Sequence, residues 1–157
     1  MRKIIKVFVL AILITACSSS VDSNKKMAGD FLDLALSANP LDAQELTHPE
    51  FKFVFMGNTE ISNIPNDRDA YFDYWLPEVV GKLLPNGITL TTTDMIADDD
   101  GVAVIMEGDA EGINGEYDNK YVFVYKFKDG KIFSIHEYNS DLLVATRLYK
   151  NKLVPSD

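Results

Sequence analysis

A single cysteine, Cys17, in a chain of 157 residues excludes an intrachain disulfide, and its place near the start excludes a cysteine nucleophile in the body of the protein. Histidine is nearly as scarce. His48 and His136 are the only two, far apart, and no HExxH or CxxC spacing accompanies them. His48 precedes Pro49 in a loop and reads as a surface residue. Asp98-Asp99-Asp100-Gly101 lacks the internal glycine and distal glutamate of a calcium loop, so it reads as a turn. GxGxxG and GxSxG are absent too, which removes the usual phosphate cradle and nucleophile elbow. No metal and no cofactor are expected. Basic charge is in short supply, with 15 Lys and Arg against 24 Asp and Glu. Arg2, Lys3 and Lys6 fall in the first six residues, so the rest is more acidic still. Without a basic stripe to displace counterions, nucleic acid is not an expected partner. An anionic lipid surface would repel the same charge.

The start of the chain is its most informative part. Met1-Arg2-Lys3 and Lys6 are followed by an apolar run, Val7 to Ile14, and then by Ile14-Thr15-Ala16-Cys17 before Ser18-Ser19-Ser20. A spanning helix needs roughly 20 apolar residues. This run is shorter, begins basic and ends in small residues, which is the order of a cleaved secretory signal. Its end resembles a lipobox, the processing site of bacterial lipoproteins. That resemblance implies diacylation of the Cys17 thiol and usually a third chain on the new amino terminus. About two acyl chains suffice for stable anchoring, so the expected partner is a lipid bilayer, held through Cys17. Ser18, where Asp would favour inner-membrane retention, points to the periplasmic face of the outer membrane in a double-membraned host. The expected organisation is a signal peptide over residues 1–16, a lipidated tether over 17–26, one domain over 27–150 and a tail over 151–157.

Within the domain, Met27, Phe31, Leu34 and Ala35 recur at spacings of three and four, predicting a helix from about Asn24 to Ala38. A short helix over 41–46 and a strand over 51–56 follow. Asn66 is a candidate cap for a helix bearing Tyr71, Tyr74 and Trp75, which Pro77 interrupts or restarts. The second half reads as a meander of strands: 88–96, 102–111, 117–128 and 131–139. Asp129-Gly130 is its strongest hairpin signal. Helices first and strands after predict an α+β fold with helices over one face of the sheet. A plain two-residue turn at Asp129-Gly130 places Val122 opposite Glu137 and Phe123 opposite His136.

Three acids are candidates for chemistry. Glu107 and Asp109 stand two apart in a strand and share a face; near the strand's end that face meets either a pocket or water. Glu137 follows Phe133 and Ile135, where partial desolvation would raise its pKa into the range of a general acid or base. A strand edge is the other reading of Glu137. His136, alternating away from it, lands among aromatics. Tyr71 and Trp75 are core or the wall of a pocket for a flat apolar ligand.

Tyr117-Asp-Asn119-Lys-Tyr121, then Gly130-Lys131-Ile132 and Glu137-Tyr138, resemble the Y-x-N-x-Y, G-K-I and E-Y-x-D pattern of the SnoaL-like branch of the nuclear transport factor 2-like superfamily. Ser140 stands at the pattern's final Asp, with Asp141 one step later. The resemblance implies a cone-shaped, curved antiparallel sheet covered by N-terminal helices, with an enclosed apolar pocket. It implies cyclases, isomerases or hydrolases among the enzymes, and non-catalytic binding modules beside them. Similarity to the epoxide-hydrolase branch implies catalytic carboxylates at Asp109 and Glu137, although that branch has Arg two residues before the first, where this chain has Glu107. Asn119 or Tyr138 would donate to a developing oxyanion, and Glu107, Tyr71 and Trp75 would contact ligand. The expectation is a lipoprotein that binds a small, largely apolar ligand. The alternatives are an acid–base enzyme and an envelope module that forms a homodimer through the aromatic strand Tyr121-Phe123-Tyr125-Phe127.

Overall fold

The computed structural model describes residues 5–37 and 39–155, with side chains described from residue 20 onward. The basic start, the signal-peptide side chains and Cys17 therefore lie outside the described side chains. Among the described residues, no helix is long and apolar enough to cross a membrane.

Helix α1 runs from Ile5 to Ala35, well upstream of the expected start near Asn24. The segment expected as a tether, residues 17–26, is helical throughout. No Gly or Pro interrupts residues 5–28, so nothing in the backbone stops the helix there. Helix α2 (Leu41–Glu45) and strand β1 (Thr47–Met56) follow. Strand β2 (Pro65–Asp67) pairs with β1, which absorbs Asn66 into the sheet. The capping role passes to Asp67, whose Oδ1 accepts from the Ala70 backbone N–H at 3.0 Å. A π-type helix, Ala70–Val80, runs directly into one α-turn, Gly81–Leu83; together they are α3. Pro77 sits inside it. The wide turn, seen in the Gly81 N–H donating to the Leu76 carbonyl five residues back, accommodates a residue that would break an α-helix.

Strands β3 (Thr89–Asp98) and β4 (Gly101–Asp109) form a hairpin around the acidic run. There Asp98 Oδ1 accepts from the Asp100 and Gly101 N–H groups at 2.8 and 3.1 Å, so the acids build a turn. The two-residue strands β5 (Glu111–Gly112) and β6 (Gly115–Glu116) flank the Asn114-Gly115 turn. Strands β7 (Lys120–Lys128) and β8 (Lys131–Tyr138) close the meander. Helix α4 combines Asp141–Leu143 with a π-type turn, Val144–Leu148.

The main sheet has the order β2-β1-β8-β7-β4-β3. Its pairs are antiparallel except β1 with β8, which the long crossover through α3 and the meander makes parallel. Helices α1 and α3 cover one face. Phe31 of α1 meets Tyr125 of β7 at 6.2 Å between ring centres, and Phe53 of β1 meets Tyr71 and Trp75 of α3 at 4.8 and 5.0 Å. Tyr121, Phe123 and Tyr125 are buried in this layer. The aromatic strand proposed as a partner surface therefore faces the core; Val122 and Val124 alternate outward.

Register in the β7–β8 hairpin departs from the simple expectation. Asp129 and Gly130 both have positive φ, 51° and 71°, as a tight two-residue turn requires. Lys128 opposes Lys131 and Phe127 opposes Ile132, as expected, but Lys126 opposes Ser134. Phe133 is an extra residue, a β-bulge. Beyond it, Phe123 opposes Glu137, and His136 opposes Val124. One inserted residue exchanges the two faces. It turns Glu137 inward and takes His136 out of the aromatic layer where it was expected.

Candidate functional site

Glu137 is brought to the interior by that bulge. It lies between Phe55 of β1 and Phe123 of β7, which flank it in register. Its Oε1 accepts from Asn139 Nδ2 at 2.9 Å. The side chain keeps some accessible surface because it borders a cavity, yet protein surrounds the carboxyl. Burial pushes its pKa up to about 7, against a smaller downward pull from the Asn139 hydrogen bond.

The cavity beside it has a volume of about 80 Å³. Trp75 and Tyr71 from α3, Phe55, Phe123 and Tyr121 from the sheet, and Leu32 from α1 form its inner wall. Glu137 is the one carboxyl among its lining residues. Tyr117 also reaches it; its hydroxyl accepts from Asn119 Nδ2 at 3.1 Å, and burial raises its pKa to about 12. Burial raises the Tyr71 and Tyr121 phenols further, and the Glu137 charge adds to both. These hydroxyls thus stay protonated donors at any ordinary pH. The chemical capacity of the site is one carboxyl that titrates near neutrality, with phenol donors close by, inside an apolar hollow.

Not all the expected site residues meet here. Tyr71, Trp75 and Glu137 line the cavity. Asp109 does not: on β4 the inward positions are Val102, Val104, Met106 and Gly108, so Glu107 and Asp109 share a face, but it is the outer one. Glu107 is exposed and paired with Lys120 at 3.0 Å. Asp109 is exposed and lines a separate outer groove. The expected Asp109–Glu137 pair is thus split: Glu137 faces the inner hollow, and Asp109, at an exposed position at the end of β4, borders only the outer groove of the two. Tyr138 is 44% exposed and opposes Val122 on the outer face. Asn119 is buried but is not among the residues lining the cavity. Its Oδ1 accepts from the N–H groups of Lys120 and Ser140 at 2.8 and 3.2 Å, so it positions Tyr117 and ties β7 to the chain beyond β8. His48 packs edge-on against Phe133 at 5.6 Å and its Nδ1 accepts from the Glu50 N–H at 3.0 Å.

Tyr117, Tyr121, Phe123 and Asn139 were not among the expected site residues. Tyr117, Asn119 and Tyr121 alternate, which is a legible signal that all three point one way. Nothing local in the sequence indicates which way.

A profile of the SnoaL-like domain matches residues 28–135. Solved structures share the architecture at low identity. Bal32a, from a soil-derived mobile gene cassette, has TM-score 0.69 and 19% identity, covering 82% of this chain and 96% of its own. A proposed SnoaL-like polyketide cyclase from Jannaschia sp. CCS1 has TM-score 0.67 and 14% identity, covering 84% and 95%. A proposed isomerase from Bacillus subtilis has TM-score 0.67 and 20% identity, covering 83% and 95%. A search of curated proteins finds no match. The profile spans more than half of the chain, and the fold agrees with solved structures across nearly their whole length. The chain therefore belongs to the SnoaL-like domain family and has the nuclear transport factor 2-like fold.

Proposed function

We propose that this protein is an envelope lipoprotein, anchored through acylated Cys17, whose SnoaL-like domain binds a small, largely apolar ligand beside Glu137. The leader pattern before Cys17 supports the anchor, and Ser18 supports the outer membrane as its place. The observation that carries the binding reading is the single carboxyl set in an otherwise apolar hollow. A cavity of roughly 150 Å³ lined by apolar side chains holds benzene. The inner hollow here, about 80 Å³, suits one small apolar group. The raised pKa of Glu137 lets it donate a hydrogen bond to a carbonyl or hydroxyl when protonated.

Acid–base catalysis is the second reading, favoured by the same carboxyl at about 7. A group poised there takes and returns a proton near neutral pH. Tyr117 and Tyr121 would supply donors to a developing oxyanion. Relatives described as a polyketide cyclase and an isomerase give this reading a precedent within the fold. Glu137 would then act without Asp109.

One experiment addresses both readings. Native mass spectrometry of the full chain, extracted in detergent, should show a co-purified small molecule on the wild type. It should be absent from Val79→Trp, which fills the hollow with a bulky ring. An adduct equally present in a correctly folded Val79→Trp, or absent from both, overturns the binding proposal. Deuterium exchange at the α-carbon of acetone, followed by NMR, supplies the catalytic arm. Exchange by the wild type that Glu137→Gln abolishes favours the enzyme.

A further inference from the structure

The inner hollow is not isolated. A larger groove of about 600 Å³ lies outside it, between the end of α1, the exposed side of α3 and the β3–β4 ladder. Leu36, Leu76, Val80, Leu84 and Ile88 border both spaces. These shared aliphatic side chains form the partition between the two spaces. Leu36 is 38% exposed, just beyond the last helical residue of α1. The outer groove has a size that accepts drug-sized molecules; the inner hollow does not.

Polarity changes sharply between the two. Beyond Glu137 and the phenols, the inner hollow is aliphatic and aromatic. The outer groove carries Ser37, Asn86, Thr89, Asp109 and Glu111. Asp109 and Glu111 are exposed, and neither forms an ion pair among the described residues. Their uncompensated charge stands where the head of a molecule would emerge.

We propose that the two spaces form one binding site for an elongated amphiphile. Its apolar end passes the Leu36–Val80 partition to reach Glu137, and its polar, non-anionic head rests in the outer groove beside Asp109 and Glu111. This inference rests on the binding reading above and gives it a ligand class. Charge complementarity decides the head: a cation is favoured, a neutral hydroxyl tolerated and a carboxylate disfavoured. The partition acts as a gate between the two spaces. Asp109 thus has a role in selecting the head group, separate from any chemistry at Glu137.

The test uses the full chain in lipid nanodiscs, with empty nanodiscs as control, and four soluble probes followed by saturation-transfer NMR. Cyclobutanol reads the inner hollow. A matched trio of hexan-1-amine, hexan-1-ol and hexanoate reads the whole site. The amine is expected to bind about tenfold more tightly than the carboxylate at low salt, as two unscreened carboxylates imply. The double variant Asp109→Asn, Glu111→Gln should bring the two affinities together. Thr89→Trp and, independently, Ser37→Trp fill only the outer groove; each should weaken the trio about tenfold or more and spare cyclobutanol. Circular dichroism verifies their folding. If cyclobutanol binds but outer-groove Trp variants leave the trio unchanged, or the amine and carboxylate bind alike, the two-chamber site is wrong while the inner site stands. If no probe, cyclobutanol included, binds the wild type, the binding reading itself fails.

Discussion

Glu137 shows how much one side chain's setting depends on neighbours distant in sequence. As a residue type it titrates near 4.5; in place, burial lifts it to about 7. The consequence for stability has a definite sign. The unfolded chain loses this proton at lower pH than the folded chain. Between about pH 4.5 and 7 the folded state therefore holds more protons, and stability falls as pH rises through that window. Below the window the neutral acid costs little; above it a buried carboxylate must be tolerated. Glu137→Gln keeps the shape and removes the charge. Urea unfolding should show the wild type losing on the order of 3 kcal/mol from pH 4.5 to 7.5 through this residue, and the variant losing far less of it. A wild type whose stability rises across the window, with Glu137→Gln following it, would contradict the buried position. The charge of Glu137 was visible in the sequence as an acid among apolar strand residues. Its distance from Asp109 was not, because alternation assigns faces to residues on one strand but does not relate two strands to one another.

At the level of single elements, β8 is where prediction and structure part. The turn at Asp129-Gly130 was legible because a tight hairpin demands residues that tolerate positive φ. The bulge at Phe133 was not, since no residue type is diagnostic for it. Its stabilisation comes from afar: Ile132 and Ile135 both reach the core, three apart rather than two, and Phe133 is left beside His48 and under Lys128. Two changes at one position separate side chain from register. Phe133→Ala keeps the extra residue, and urea unfolding should show a loss of about 1–2 kcal/mol from reduced apolar burial, with the pH dependence from Glu137 intact. Deleting Phe133 should remove the bulge while leaving Tyr125 opposite Ile135 and Phe123 opposite Glu137, so the inward carboxyl and its pH dependence should persist. A deletion variant that folds stably yet loses the pH dependence would refute the role given to the bulge. Helix α3 teaches the related lesson for Pro77: the break expected of proline becomes a widened turn, because Tyr71, Phe72 and Trp75 are held by packing against β1 and α1 on either side.

On the scale of the whole molecule, the proposed anchor and the proposed site lie toward opposite ends of α1. The helix carries Cys17 in its upstream part, and Leu32 and Leu36 near its end border the hollow. Growth with an alkyne-tagged palmitate should label the wild type and not Cys17→Ala. Label on Cys17→Ala, or none on either, would sink the lipoprotein reading. That reading needs only the linear chain, because a processing enzyme meets the leader before folding. Fold class was likewise open to inspection: helical periodicity ahead of alternating strands, with turn residues between them, admits few layered arrangements. The composition of the site was partly readable, in Glu137, Tyr71 and Trp75. Its connectivity was not. Which carboxyl faces inward, which is left to the groove, and whether two spaces share a wall depend on a one-residue register shift and on helices packed across the sheet. Those are sums of many weak contacts between residues far apart in the chain, and no local pattern encodes their outcome.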